Sequence, residues 1–153
     1  MKIFRLSGKR LHLIAATFLL AAGLTVTLAA CAHRSSTEAQ VILASTDAQR
    51  AAYLESLGWQ VDPAPLETLD LQLPEKLEGD WAGYAALQEQ QGLPFSDFTG
   101  QTVRRYTYSV ANYPGDVQGV QINLYLCGEQ IIGGDVMALG EDGFAAGLSY
   151  PDI

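Results

Sequence analysis

Period-two alternation in the last third of the chain constrains the fold more than any other feature of the sequence. In "GVQINLYLC", residues 119–127, every second side chain from Val120 to Leu126 is aliphatic, and those between are polar or aromatic. This is the pattern of a strand with one apolar face. The preceding run "QTVRRYTYSVANY" alternates similarly, and "IIGGDVMAL" follows a tight connection. Three sequential strands with short connections predict an antiparallel meander, and Gly133-Gly134 predicts a bulge or a close backbone approach.

Two helices and one further strand are predicted upstream of this meander. Thr46 is a suitable N-cap, and Gln49 completes a capping box for a helix over residues 47–57, which Gly58 ends. Alternating leucines in residues 69–73 predict a strand. An apolar stripe at helical spacing predicts a second helix with a polar end at residues 88–91, and we interpret the stripe as core packing. The stripe consists of Leu77, Trp81, Tyr84 and Leu87.

These elements predict the fold class. A meander of three C-terminal strands, one earlier strand and two helices make an α+β domain, and we expect both helices to pack on one face of the small antiparallel sheet. There are no internal repeats and no low-complexity tracts. We therefore assign residues 45–153 to a single α+β domain.

The N-terminus has the organisation of an export signal. Residues 1–10 contain four basic side chains, and the run from Leu11 to Ala30 contains no Asp, Glu, Lys or Arg. Small residues close the run, as a signal-peptide cleavage region requires. The stretch Leu28-Ala29-Ala30-Cys31 resembles the lipobox of bacterial lipoproteins. That resemblance implies that residues 1–30 are removed, that Cys31 carries a diacylglyceryl group, and that residues 31–44 tether the domain to the membrane.

Two alternatives to lipidation stay open. Twenty residues at ~1.5 Å each span ~30 Å, so the uncharged run from Leu11 to Ala30 could also remain as a transmembrane anchor. Simple secretion is the other alternative. Both a lipid anchor and a transmembrane anchor put the domain on the extracytoplasmic face of the cell membrane.

Charge excludes one class of partner. All seventeen acidic residues lie after Ala30 and only five of the nine basic residues do, which gives that part of the chain a net charge of −12. Such a domain repels phosphate backbones, so nucleic acid is not an expected partner. The expected partners are the membrane, through the lipid on Cys31, and an envelope protein or a small ligand.

Few residues could support catalysis. The only histidines, His12 and His33, precede the domain, which excludes His-dependent nucleophiles and His-ligated metals within it. No phosphate-binding loop is present, and we expect neither a metal nor another cofactor. The remaining candidates for catalysis are carboxylates. Asp135 with Glu141 or Asp142 could act as the acid/base pair of a small hydrolase. We expect Asp135 instead to pair with Arg104 or Arg105 across the sheet.

The polar face of the meander is the candidate binding surface. Its side chains offer hydrogen-bonding groups and one aromatic anchor, although the same pattern is typical of the solvent side of an antiparallel sheet. The face consists of Arg105, Thr107, Ser109, Gln121, Asn123 and Tyr125.

Several stretches together resemble one protein family. The runs "RRYTYSVANYPG", "VQINLYLCGEQIIGGDV" and "DGFAAGL", with "YLESLGWQV" and "GYAALQEQQGL" upstream, are similar to the domain of unknown function 4830 family over roughly residues 50–148. The resemblance implies a membrane-tethered or lipid-anchored bacterial envelope protein, and it brings no catalytic residue. We therefore expect a non-enzymatic binding or interaction module, with a structural or regulatory envelope component as the alternative.

Overall fold

The computed structural model describes residues 41–139 and 143–151. Within these ranges the chain forms two α-helices, one 3-10 helix (Phe95–Phe98) and a six-stranded sheet. The helices are α1 (Asp47–Ser56) and α2 (Asp80–Gln90). The strands are β1 (Ile42–Leu43), β2 (Glu67–Gln72), β3 (Thr102–Ser109), β4 (Val120–Cys127), β5 (Gln130–Ala138) and β6 (Phe144–Ala146).

The sheet is antiparallel throughout. Its strand order is β1-β5-β4-β3-β2, with β6 paired to the end of β5. The predicted meander is β3-β4-β5, and the predicted earlier strand is β2. The α+β class is thereby confirmed, and the short strands β1 and β6 add to what the alternation predicted.

Helix α1 begins where its capping residues predict. The Thr46 hydroxyl accepts from the Gln49 backbone N–H at 3.2 Å, and the Gln49 side chain accepts from the Thr46 backbone N–H at 3.1 Å. Both otherwise unpaired donors of the first turn are satisfied. The helix ends with Leu57 as C-cap. Gly58 follows at φ +98°, a backbone conformation that residues other than glycine rarely adopt.

The two helices pack against opposite faces of the sheet. Leu54 of α1 lies in a core cluster with Tyr108, Ile122 and Leu124, the apolar face of the meander. Ala85 of α2 lies in a second cluster, on the other face. This second cluster also contains Leu73, Phe95, Val103, Tyr125 and Ile132.

The expectation that both helices share one face is therefore wrong. The face predicted to be polar is apolar at one end, where it carries Val103, Tyr125 and Ile132. The second helix packs on this apolar end because doing so removes these side chains from water. Helix α2 covers this end, so the centre of the polar face lies inside the molecule rather than against solvent.

The glycine pair in β5 lets both layers approach the sheet. The pairing of β4 with β5 shifts between Tyr125 and Leu126, as the prediction of a bulge requires. A Cβ on Gly133 would lie 2.8 Å from Phe95 Cδ2 on the α2 side. A Cβ on Gly134 would lie 2.6 Å from Leu148 Cδ1 on the opposite side. The bulge and the close approach are both confirmed.

Candidate functional site

The structure brings the six residues of the predicted binding face together as three cross-strand pairs of β3 and β4. The pairs are Arg105 with Tyr125, Thr107 with Asn123, and Ser109 with Gln121. Thr107, Asn123 and Tyr125 are buried, and Arg105, Ser109 and Gln121 are half-buried. The central pair, Thr107 with Asn123, is therefore inaccessible, and only the flanking pairs can meet a ligand.

A buried row of polar side chains occupies that centre. The Thr107 hydroxyl donates to Asn123 Oδ1 at 2.7 Å, and Asn123 Nδ2 donates to Asp135 Oδ2 at 3.1 Å. The Tyr84 hydroxyl of α2 donates to Asp135 Oδ1 at 2.7 Å. The row joins three neighbouring strands to the helix, and both carboxylate oxygens of Asp135 are hydrogen-bonded within the protein.

The expected pairing of Asp135 with an arginine is wrong. Arg104 makes a bidentate pair with Asp70 of β2, at 2.6 and 2.9 Å, and Arg105 pairs with Glu67 of the same strand. The register explains this: β2 lies beside β3 and supplies carboxylates directly across from or diagonal to the arginines, whereas Asp135 lies two strands away on β5.

Burial raises the pKa of the ionisable groups in and beside this row. It raises the pKa of the Asp135 carboxyl above its ordinary 3.8, while the hydrogen bonds from Tyr84 and Asn123 and the charge of Arg105 oppose the shift. Burial and the neighbouring Asp135 charge likewise raise the pKa of the Tyr84 and Tyr125 hydroxyls, so both phenols stay neutral.

The raised pKa of Asp135 predicts a pH dependence of stability. The folded protein binds this proton more tightly than the unfolded chain, so the stabilisation is complete below 3.8 and is lost as pH rises from 3.8 through the raised value. We expect Asp135→Asn to abolish this loss, so that the stability of the variant relative to wild type rises with pH across that window. Urea unfolding at a series of pH values measures it.

Asp70→Asn is the matched control because its shift has the opposite sign. The hydrogen bond from Arg104 holds the pKa of the exposed Asp70 carboxyl below its ordinary value, so its contribution is present above 3.8 and is lost as pH falls. Equal pH slopes for the two variants would contradict this account of Asp135.

A half-open groove lies beside the buried row, between the start of α2 and the sheet. It has a volume of about 240 Å³ and is lined by Asp80, Trp81, Tyr84 and Tyr125. The Trp81 and Tyr84 rings stand at 84° with centroids 6.3 Å apart, and the Tyr84 and Tyr125 rings stand at 65° with centroids 5.6 Å apart. The groove thus has three aromatic walls and one carboxylate at its rim.

Local sequence places these walls. Gly79 has φ +58° and gives no side-chain cap, so α2 starts directly with Asp80 and Trp81 in its first turn. Trp81 and Tyr84 are three residues apart and therefore share one face of the helix. Phe95 packs behind them, with its centroid 6.2 Å from Trp81 and 5.1 Å from Tyr84.

The core packing predicted for the helical stripe is confirmed for Leu77, Trp81 and Tyr84, which pack half-buried against the second core cluster. Trp81 and Tyr84 also line the groove, which the sequence did not predict. Tyr125 is the one member of the predicted binding face that lines the groove. Gln88, expected in a polar helix end, is fully buried and accepts from the Gly134 backbone N–H at 2.8 Å. Its position four residues after Tyr84, on the same helix face, was the signal for that burial.

Two other cavities lack this combination of features. One of about 260 Å³ lies beside Asp70, Arg104 and Tyr106, where the two charges neutralise each other. Another, of about 460 Å³, is lined by residues at the end of α2, by Tyr113 and by residues near the C-terminus, with no charged side chain among them.

Several predicted features lie outside the described residues. They are Cys31, the signal segment and most of the tether, together with Glu141 and Asp142. Cys127 ends β4 as a free cysteine, with its Sγ 3.3 Å from Gln101 Oε1. In the part of the chain that the structure describes, no three His, Cys, Asp or Glu side chains gather as a metal site would require. No helix within residues 41–139 and 143–151 is both long and apolar enough to cross a membrane.

Comparison with known proteins identifies the family. The family model described as "Domain of unknown function (DUF4830)" matches residues 53–136, more than half of the chain, and the protein belongs to that family. The matched range contains α2, β3, β4, most of β5, the residues that line the groove and Asp135. No curated protein and no solved structure shows significant similarity to the chain.

Proposed function

We propose that the protein is a membrane-anchored, non-enzymatic binding module that presents a small-ligand groove at the extracytoplasmic face of the cell membrane. The observation that carries the proposal is the groove between α2 and the sheet, with its aromatic walls from Trp81, Tyr84 and Tyr125 and the Asp80 carboxylate at the rim. Concave, largely apolar sites with a few placed polar groups are typical of small-ligand binding.

The chemistry of the groove favours binding over catalysis. An acid/base hydrolase needs two carboxyl groups that reach the substrate. Asp80 is the single carboxylate of the lining, and Asp135 stands behind Tyr84 with both oxygens hydrogen-bonded. The rival proposal of a hydrolase using Asp135 therefore has less support than a binding role.

The lipid anchor is supported by the sequence Leu28-Ala29-Ala30-Cys31 after a charge-free run. We expect cells grown with a tagged fatty acid to label the full chain, and Cys31→Ala to lose the label because the acceptor thiol is gone. Cys127→Ala is the matched control, since it removes the other cysteine and should keep the label. Label that persists on Cys31→Ala would rule out Cys31 as the lipid acceptor and leave a transmembrane anchor and simple secretion as the alternatives.

Ligand capture tests the binding role. The immobilised full chain is exposed to the small-molecule fraction of an envelope extract, and the eluate is compared by mass spectrometry. We expect a compound that wild type retains and that Trp81→Ala loses, because Trp81 forms one wall of the groove. Leu66→Ala is the control, since it removes an apolar side chain that is 60% exposed elsewhere. If neither the wild type nor the control retains a compound, the result would favour a structural envelope component without a ligand.

A further inference from the structure

The ring geometry of the groove suits one class of ligand. A ring face carries the negative part of the aromatic quadrupole and a ring edge the positive part. Trp81 and Tyr84 are nearly perpendicular, and Tyr125 is tilted by 65° from Tyr84, so the three rings that line the groove lie in different planes. A cation in a groove lined by aromatic rings is attracted by each ring face that it meets.

The charges around the groove have the sign that a cation requires. Asp80 stands at the rim of the groove. The ion pairs described within residues 41–139 and 143–151 do not involve Asp80; their carboxylates belong to Asp47, Glu67 and Asp70. Behind the wall, the Tyr84 hydroxyl donates to Asp135. Arg105, whose charge acts on both Tyr125 and Asp135, has its guanidinium paired with Glu67.

We propose that the groove binds a small, alkylated ammonium cation, with Trp81, Tyr84 and Tyr125 contacting its alkyl groups and Asp80 balancing its charge. This inference rests on the proposed binding function and names its ligand class. A net charge of −12 after Ala30 raises the local concentration of any cation near the domain.

The groove lining offers few hydrogen-bond acceptors, and this favours an ammonium nitrogen that is fully alkylated. A primary ammonium carries three N–H donors, and the lining offers one exposed carboxylate to receive them. A quaternary ammonium has no N–H donor to satisfy, and its methyl groups fit against aromatic faces. The volume of about 240 Å³ is below that of typical drug-sized sites, which agrees with a small solute.

The test uses the two tryptophans of the chain as probe and internal reference. The full chain is held in maltoside micelles, which carry no ammonium headgroup, and the indole N–H signals of Trp81 and Trp59 are followed by NMR. Trp59 is buried, and its Nε1 donates to the Leu148 carbonyl at 2.6 Å, so it reports global changes. The ligands are choline chloride and 3,3-dimethyl-1-butanol, which has the same shape but no charge, at equal ionic strength.

We expect choline to shift the Trp81 signal saturably, with Trp59 unchanged, and the neutral alcohol to bind about tenfold more weakly. Asp80→Asn should weaken choline about threefold, because one carboxylate at an exposed rim is removed. Glu55→Gln is the matched control: it deletes one negative charge from the exposed side of α1 and should leave the affinity unchanged.

The outcomes separate this proposal from the binding function on which it rests. Equal affinity for choline and the alcohol would overturn the cation and keep an apolar ligand groove. No Trp81 shift with either ligand, together with a compound retained in the capture experiment, would overturn the cation alone. No shift and no retained compound would overturn both.

Discussion

Replacing Gly134 with alanine is expected to lower the free energy of unfolding by about 3 kcal/mol, the upper part of the range for overpacked cores. The added Cβ would lie 2.6 Å from Leu148 Cδ1 and 2.9 Å from the Asn123 carbonyl oxygen. Leu148 is 2% exposed and has little room to move, and Asn123 O belongs to the backbone of β4. Relief of the clash therefore requires the central strands to separate.

Gly83→Ala is the matched control for this prediction. Gly83 lies within α2, and a Cβ there would meet nothing within 4 Å. The same substitution should stabilise the protein by about 0.5–1 kcal/mol, because alanine loses less backbone entropy in a helix. Urea unfolding followed by circular dichroism measures both variants. A Gly134→Ala protein as stable as wild type would show that the close packing of the β5 glycine is not a constraint.

Replacing Arg50 with methionine is expected to cost about 3 kcal/mol, although the residue lies on a helix close to the surface. Arg50 is 3% exposed, and its guanidinium donates to the Tyr108 hydroxyl at 2.9 Å and to the Ala44 and Ser45 carbonyls at 3.1 and 3.0 Å. It also lies 3.7 Å above the Tyr106 ring centroid. Methionine keeps the apolar stem but leaves these acceptors without a donor, and each unsatisfied buried group costs ~1–3 kcal/mol.

Two milder variants test the reason for this effect. Asp47 is the ion-pair partner of Arg50, and the Asp47 side chain is 57% exposed. Asp47→Asn should therefore cost less than about 1 kcal/mol. Tyr108→Phe removes one of the three acceptors and should cost about 1 kcal/mol. If Arg50→Met proves no more costly than Asp47→Asn in urea unfolding, the buried hydrogen bonds of Arg50 do not stabilise the fold as described.

The elements that sequence predicted well are those with local causes. The capping box of Thr46 and Gln49 requires only adjacent residues, and α1 begins where it predicts. The alternation of the meander follows from the two-residue period of a strand, so the pairing of Thr107 with Asn123 and of Tyr108 with Ile122 agrees with the predicted faces.

The parts that sequence missed depend on distant residues. Alternation tells which side chains share a face, but not what covers that face. The centre of the polar face is interior because Tyr84 and Gln88 on α2 carry groups that hydrogen-bond to Asp135 and Gly134. The ion-pair partners of the arginines depend on which strand lies beside β3, which no local pattern specifies.

The groove illustrates the same limit for the candidate site. Trp81 and Tyr84 were recognisable as a stripe, and a stripe is usually core. Whether it is core or cleft depends on how far α2 extends over the sheet. Here the first turn of α2 leaves Trp81 and Tyr84 half-buried above Tyr125, and a cavity remains between them.

The measurement that tests the binding account most directly is the NMR shift of the Trp81 indole N–H while the small-molecule fraction of an envelope extract is titrated into the full chain. We expect the Trp81 signal to move to saturation while the buried Trp59 signal stays in place. A Trp81 signal that does not move, or one that moves in step with Trp59, would contradict a ligand site in the groove.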